Sequence, residues 1–460
     1  MKVARWKVVG LAGALALGYV ASADAAQIKV DDKTWANFGL NMKIWYHNLD
    51  KRSNSTSSGG WTQNRFSVGQ TKIYFTGQVT PVFQFYSELD TRSTALPSAD
   101  NPGYATLGEA GINLAFAKEF QVLAGQIRKP FTRAQLSSGY ALLTPQGYWL
   151  DPQGVLGAIR VALGSTDQGL MVHGDLAGGM FRYRVGVYNE NRDAGSKFWF
   201  GTDNTTHAFG WIGYQTIKDG ASTLLEFKQT SGTKANNLKN FEWNARIEFT
   251  PTMLGFKPES AATTTAKIGD TYLGGRDVLT IGLGYHTETH TPKSTVDSYD
   301  VGDLKRKGWT VDAMFEKKFG NLVPNLQIGY ISLDKTHYYY DHWNEEPKKG
   351  DTDIWYVTGQ LLFDQVMWLG KPAIAFRYEK IKADGQYYNY DYDILKKDLT
   401  TETFGLAFNY YIKGQAARIS LGFDQTKYKD ALKYFLKYGN SKTKYEDSIT
   451  DWYLYFQSQF

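Results

Sequence analysis

The stretch Asp451-Trp-Tyr-Leu-Tyr-Phe-Gln-Ser-Gln-Phe460 decides the fold. Trp452, Leu454, Phe456 and Phe460 share one parity, while Asp451, Gln457 and Gln459 share the other. Only an extended strand, whose side chains alternate with a period of two, sends these sets to opposite faces. The alternation recurs upstream. Phe241, Trp243, Ala245, Ile247 and Phe249 oppose Glu242, Asn244, Arg246 and Glu248. Phe181, Tyr183, Val185 and Val187 oppose Arg182, Arg184 and Glu190, and Ala36, Phe38, Leu40, Met42, Ile44 and Tyr46 oppose Asn37, Asn41 and Lys43. Segments 403–410 and 416–424 repeat the pattern.

The other end of the chain reads as an export signal. Lys2, Arg5 and Lys7 precede the apolar run Val8 to Val20, and Ala21-Ser-Ala-Asp-Ala-Ala26 follows. A basic start, a short apolar run and the Ala-x-Ala site Ala23-Asp24-Ala25 predict a signal peptide over residues 1–25, cleaved on export. The run falls short of the roughly 20 residues of a spanning helix. The chain has no Cys, which excludes a lipoprotein, a disulfide scaffold, a c-type haem and thiolate metal sites. No later segment reaches 18 consecutive apolar residues, so no transmembrane helix is expected. Aromatic residues make up 15% of the chain, yet the mean hydropathy is −0.42. Aromatic girdles outside and a polar lumen inside produce that combination in a transmembrane β-barrel. The net charge of +5 is too slight to imply nucleic acid.

An exported chain that ends in such a strand resembles bacterial outer-membrane β-barrels, where the last strand closes the barrel. That resemblance implies the outer membrane of a Gram-negative bacterium, with lipid, lipopolysaccharide and the barrel-assembly machinery as partners. Trp452, Leu454, Phe456 and Phe460 are then the assembly signal.

Connection lengths agree with a barrel. Short links at 79–81, 118–119, 176–179, 217–220, 320–323, 364–371 and 413–415 alternate with longer polar stretches. The long stretches are 47–63, 93–108, 129–167, 190–205, 229–240, 289–307, 335–351, 384–399 and 429–447. Short periplasmic turns and long extracellular loops alternate in this way. The count gives 18 antiparallel strands, with 16 as the alternative, because 251–277 is long where a short turn is due. No linker or shift of composition interrupts residues 26–460, so the expectation is one all-β barrel.

A closer resemblance lies in residues 30–195. Arg65-Phe-Ser-Val-Gly-Gln-Thr-Lys-Ile-Tyr-Phe-Thr-Gly77 and Phe83-Gln-Phe-Tyr-Ser-Glu-Leu-Asp90 resemble the early hairpin of phosphate-selective porins, the O/P family. Gly125-Gln-Ile-Arg-Lys-Pro-Phe131 is similar to that family's turn into the third loop, and Gly169 to Asn191 to the hairpin that follows. The resemblance implies a trimeric porin, general or anion-preferring, whose third extracellular loop folds inward to narrow the pore. That family typically has 16 strands.

Parity and charge select the pore residues. Arg182, Arg184, Arg246, Arg377 and Arg418 fall on polar strand faces. A charge on the lipid face would cost about 2–4 kcal/mol at mid-membrane, which forces these groups inward. Arg128, Lys129, Arg133 and Arg160 belong to the entry and body of loop 129–167. Guanidinium groups attract anions and grip phosphate or carboxylate with two hydrogen bonds. The bland alternative is pairing with Glu88, Asp90, Glu242, Glu248, Glu379 and Asp424 on the same inward faces.

No Gly-x-Ser-x-Gly, His-Glu-x-x-His or phosphate-binding glycine loop is present, so neither enzyme activity nor a cofactor is expected. His286 and His290 stand too far apart on a strand to share a metal ion. The sequence therefore predicts a passive porin for small hydrophilic solutes and ions, either general or anion-preferring. The alternatives are a barrel sheath for an electron-transfer partner and, last, an outer-membrane enzyme.

Overall fold

The computed structural model describes residues 26–50, 54–55, 63–92, 104–145, 166–189, 222–223, 241–259, 267–290, 295–296, 299–300, 304–341, 346–389, 394–430, 433, 443–444 and 448–459. The wall consists of β1 (Trp35–Asp50), β2 (Gln63–Gln78), β3 (Phe83–Arg92), β4 (Tyr104–Ala115), β5 (Gln121–Arg128), β6 (Thr166–Leu176), β7 (Phe181–Asn189) and β8 (Phe241–Phe249). It continues with β9 (Val278–His290), β10 (Leu304–Glu316), β11 (Leu322–Asp341), β12 (Glu346–Phe363), β13 (Lys371–Asn389), β14 (Ile394–Lys413), β15 (Ala417–Lys429) and β16 (Ser448–Gln459). Each strand pairs antiparallel with the next. β16 returns to β1 with Phe456 opposite Ile44, so the sheet closes on itself with 16 strands. Closure removes every open edge, as hydrocarbon demands. A short strand outside this count, Ala26–Lys29, pairs with Trp35–Phe38 on the edge of β1 that β16 uses further along.

The count of 18 is thereby corrected to its alternative. The sequence points to 251–277 as the place of the miscount, but it lies earlier, where the short link Ile217-Lys-Asp-Gly220 implies a hairpin between β7 and β8. β7 and β8 instead pair directly from Asn189 opposite Phe241 to Phe181 opposite Phe249, leaving no room in the wall for another hairpin. Of that interval only Ser222–Thr223 is described, and it pairs with Tyr388 and Asn389 at the tip of β13.

Alternation along each strand sorts side chains between lipid and lumen. On β8, Phe241, Trp243 and Ile247 are exposed, whereas Glu242, Asn244, Arg246 and Glu248 are buried. Trp309, Ile328, Leu361, Ile374, Phe408, Leu421 and Trp452 extend the outer apolar band around the barrel. So large a contiguous apolar surface suits hydrocarbon and not water. On β16, Trp452 is exposed, Leu454 and Phe456 are half-buried on the same outer face, and Tyr453, Tyr455 and Gln457 point inward. Phe460 lies outside the described residues, as do residues 1–25. No helix among the described residues is long and apolar enough to cross a membrane; crossing is by strands.

Candidate functional site

Pro130 has no N–H, so the ladder of β5 stops at Arg128 and the chain turns into the lumen. Phe131 seats against the inner wall where β9 and β10 carry glycine. A Cβ on Gly284 would collide with the Phe131 carbonyl oxygen, and one on Gly308 would lie 3.0 Å from the tip of the Phe131 ring. The His286 ring stands 5.6 Å from the Phe131 centroid. A single helical turn, α1 (Arg133–Leu136), follows and carries a capping box: the Thr132 hydroxyl accepts from the Gln135 N–H at 3.1 Å, and the Gln135 side chain accepts from the Thr132 N–H at 3.1 Å.

Beyond α1 the segment reaches the far wall. Tyr140 donates its hydroxyl to the Asn41 carbonyl at 3.3 Å, and Gln457 donates to the Tyr140 carbonyl at 2.9 Å. Arg418 donates to the Leu142 carbonyl at 2.6 Å, and Asn409 to the Leu143 carbonyl at 2.7 Å. The Leu143 side chain packs with Trp45, Tyr453 and Tyr455. Residues 129–143 thus cross from the β8–β10 wall to the wall formed by β14, β15, β16 and β1.

A second segment enters from the opposite end. Residues 250–277 join β8 to β9 on the side of the short turns, and part of them docks against the crossing segment. The Ile268 N–H donates to the Leu136 carbonyl and the Ser138 N–H to the Ile268 carbonyl, both at 3.0 Å. Arg133 grips Glu259 through two hydrogen bonds of 2.6 and 3.0 Å, and the Ser137 hydroxyl donates to Asp270 at 2.6 Å. Glu316 accepts from Thr271, Tyr272 and Gly274 and fixes the base of the segment to β10. Burial pushes the Asp270 carboxyl up to about 6, against the pull of Arg133 and the Ser137 hydroxyl.

The expected cations that lie among the described residues point inward, and most hold a carboxylate. Arg128 donates to Glu109 at 2.9 Å, and Lys129 pairs with Glu242. Arg182 forms two bonds with Asp175, and Arg184 lies 2.9 Å from Glu248. Arg246 bonds Glu248 and takes both oxygens of Asp312, while Arg377 bonds Asp424 at 3.0 Å. Arg418 instead bonds the Leu142 carbonyl and Gln457 between the rings of Tyr411 and Tyr455. Ions buried this deeply require such partners. Arg160 lies outside the described residues, and the last residues of the predicted loop, Thr166 and Asp167, belong to β6.

Two cavities flank the crossing segment. The larger, about 240 Å³, lies between Tyr140, Arg128 and Lys267 and the wall residues Lys72, Tyr86 and Glu88. The smaller, about 60 Å³, lies between Arg133 and Asp270 and the wall residues Tyr356, Arg377 and Glu379.

Sequence reading placed Phe131 in the turn into the third loop but gave it no role, and it did not single out Glu259, Lys267 or Asp270. One signal existed: the excess length of 251–277 at the turn end. Another was the pair Gly282 and Gly284 inside β9, since glycine within a strand marks close backbone approach.

No family model matches the chain. It is 27% identical over 317 residues to an uncharacterized protein of Aquifex aeolicus, a match covering 67% of this chain and 59% of that protein. Among solved structures, OprB of Pseudomonas putida superposes with a TM-score of 0.51 at 11% identity, covering 92% of this chain and 94% of that one. The likeness shows the fold, a closed antiparallel β-barrel. An anion-selective porin from Comamonas acidovorans superposes with a TM-score of 0.48 at 9% identity, covering 93% of this chain and 100% of that one.

Proposed function

We propose that the protein is a passive diffusion channel for small hydrophilic solutes and ions in the outer membrane of a Gram-negative bacterium, without enzymatic activity. The observation that carries this reading is the crossing of an ion-lined lumen by residues 129–143, with a cavity of about 240 Å³ left beside them. A barrel of 16 strands encloses a lumen wide enough for water, and an inward segment narrows it to the scale of small solutes. The crossed lumen argues against a sheath around a folded electron-transfer partner, which needs that space itself. A homotrimer is the assembly that the porin resemblance implies.

The finer reading is a preference for anions, as in the phosphate-selective porins that residues 30–195 resemble. In its favour, Lys43 and Arg418 direct their charge at the carbonyls of Gly139 and Leu142 in the crossing segment. Against strong selectivity, most inward guanidinium groups already hold carboxylates, so a passing phosphate would have to displace them.

Purified protein in a planar bilayer tests both levels. The expected result is a steady ohmic conductance without any partner, and a reversal potential on the anion side in asymmetric potassium chloride. Folded protein that never conducts would end the channel reading, and reversal on the cation side would end the anion preference alone.

A further inference from the structure

The larger cavity is lined by a charge cluster assembled from both ends of the barrel. Lys267, on the turn-end segment, donates to Glu88 at 2.5 Å and lies 3.3 Å from Glu109. Lys72 of β2 pairs with the same Glu88, and Arg128 of β5 with the same Glu109. Among the described residues, three cations thus face two carboxylates, and Lys43 and Asp90 add one charge of each sign nearby. The Lys267 side chain is 18% exposed, against 9% for Lys72, 7% for Glu88 and 3% for both Arg128 and Glu109. Lys267 is therefore the most exposed charged side chain of this cluster, and it lines the cavity.

We propose that Lys267 is the specificity-determining residue of the larger passage: it offsets the charge of Glu88 and Glu109 and tips the local balance toward anions. The inference rests on the channel reading above and names the residue that sets its ion preference. In a narrow passage the effective dielectric is below that of bulk water, and a single charge acts on a passing ion with little screening. Without Lys267, two cations face two carboxylates and the local excess of positive charge is gone. The segment that carries Lys267 is not part of the wall, so its replacement leaves the strand ladder intact.

The chain has no Cys, so Lys267→Cys provides a unique thiol. Reversal potentials are measured in asymmetric potassium chloride before and after treatment with a cationic aminoethyl or an anionic sulfonatoethyl methanethiosulfonate. The expected result is a several-fold rise in the potassium-to-chloride permeability ratio, returned toward the parent by the cationic reagent and driven further by the anionic one. Restoration by charge alone separates an electrostatic role from a structural one. Open channels that keep the parent's ratio before and after labelling overturn the proposal. Should Lys267→Cys fail to insert, Glu109→Gln carries the test, with an expected shift toward chloride and no shift counting against it. A parent protein without conductance sinks the channel reading itself, an outcome distinct from conducting channels indifferent to residue 267.

Discussion

Arg133 and Glu259 enter the lumen from opposite ends of the barrel and meet in a two-bonded ion pair of 2.6 and 3.0 Å, with both side chains almost wholly buried. Losing one partner of such a pair leaves an uncompensated buried charge, a penalty of about 3–5 kcal/mol. Glu259→Gln should therefore loosen the docking of residues 267–276 and increase current noise and protease cleavage there, with the wall unchanged by circular dichroism. Replacing both residues together with apolar side chains should restore quiet channels. A double variant as noisy as the single one would show that the pair does not hold the segment.

Asp270 gives the docking a pH dependence of definite sign. Its carboxyl is pushed up to about 6 by burial, against an ordinary value near 3.8, so the docked state binds the proton more tightly than the undocked one. This contribution is fully present below about pH 4 and is lost as pH rises through 6. Channels should be quieter at pH 5 than at pH 7.5. Asp270→Asn, which stays neutral throughout, should flatten that difference; an unaltered difference would exclude Asp270 as its source.

Gly284 and Gly308 leave the hollow that receives Phe131. Gly284→Val places a side chain against the Phe131 carbonyl oxygen and should unseat the crossing segment at its first anchor. The expected outcome is a larger single-channel conductance with weaker ion preference, from barrels that still resist detergent unfolding. Phe131→Ala should move conductance the same way by a smaller amount. Parent-sized conductance in both variants would mean that the segment is held by its far-wall bonds alone.

β16 is the strand that both β15 and β1 require for closure. Deleting Phe460, one residue beyond its described end, should reduce insertion into the outer membrane far more than it alters the conductance of barrels already formed. Membrane levels equal to those of the parent would remove Phe460 from the assembly signal.

The wall was legible in the sequence because lipid and lumen impose opposite polarity at a period of two. Phe241, Trp243 and Ile247 against Glu242, Arg246 and Glu248 is the pattern such a wall requires. The larger of the two counts fell away at 217–220 for an equally physical reason. Ile217-Lys-Asp-Gly220 has turn chemistry, but turn residues do not record whether their flanks join the wall. The ion pairs of the lumen were illegible in principle. Arg133 and Glu259 are 126 positions apart, and no local spacing encodes a meeting between segments arriving from opposite ends.

The crossing segment also fixes an order of events in time. Its far-wall anchors, Gln457 to Tyr140 and Arg418 to Leu142, join residues 317 and 276 positions apart. Contacts of such long sequence separation form late, after the intervening chain has been arranged. Strands β1 to β5 can assemble while the segment hangs loose, and it has no far side to settle on until β14, β15 and β16 arrive. The narrowing of the bore therefore belongs to the last stage of assembly, when the final strands are in place to receive those anchors.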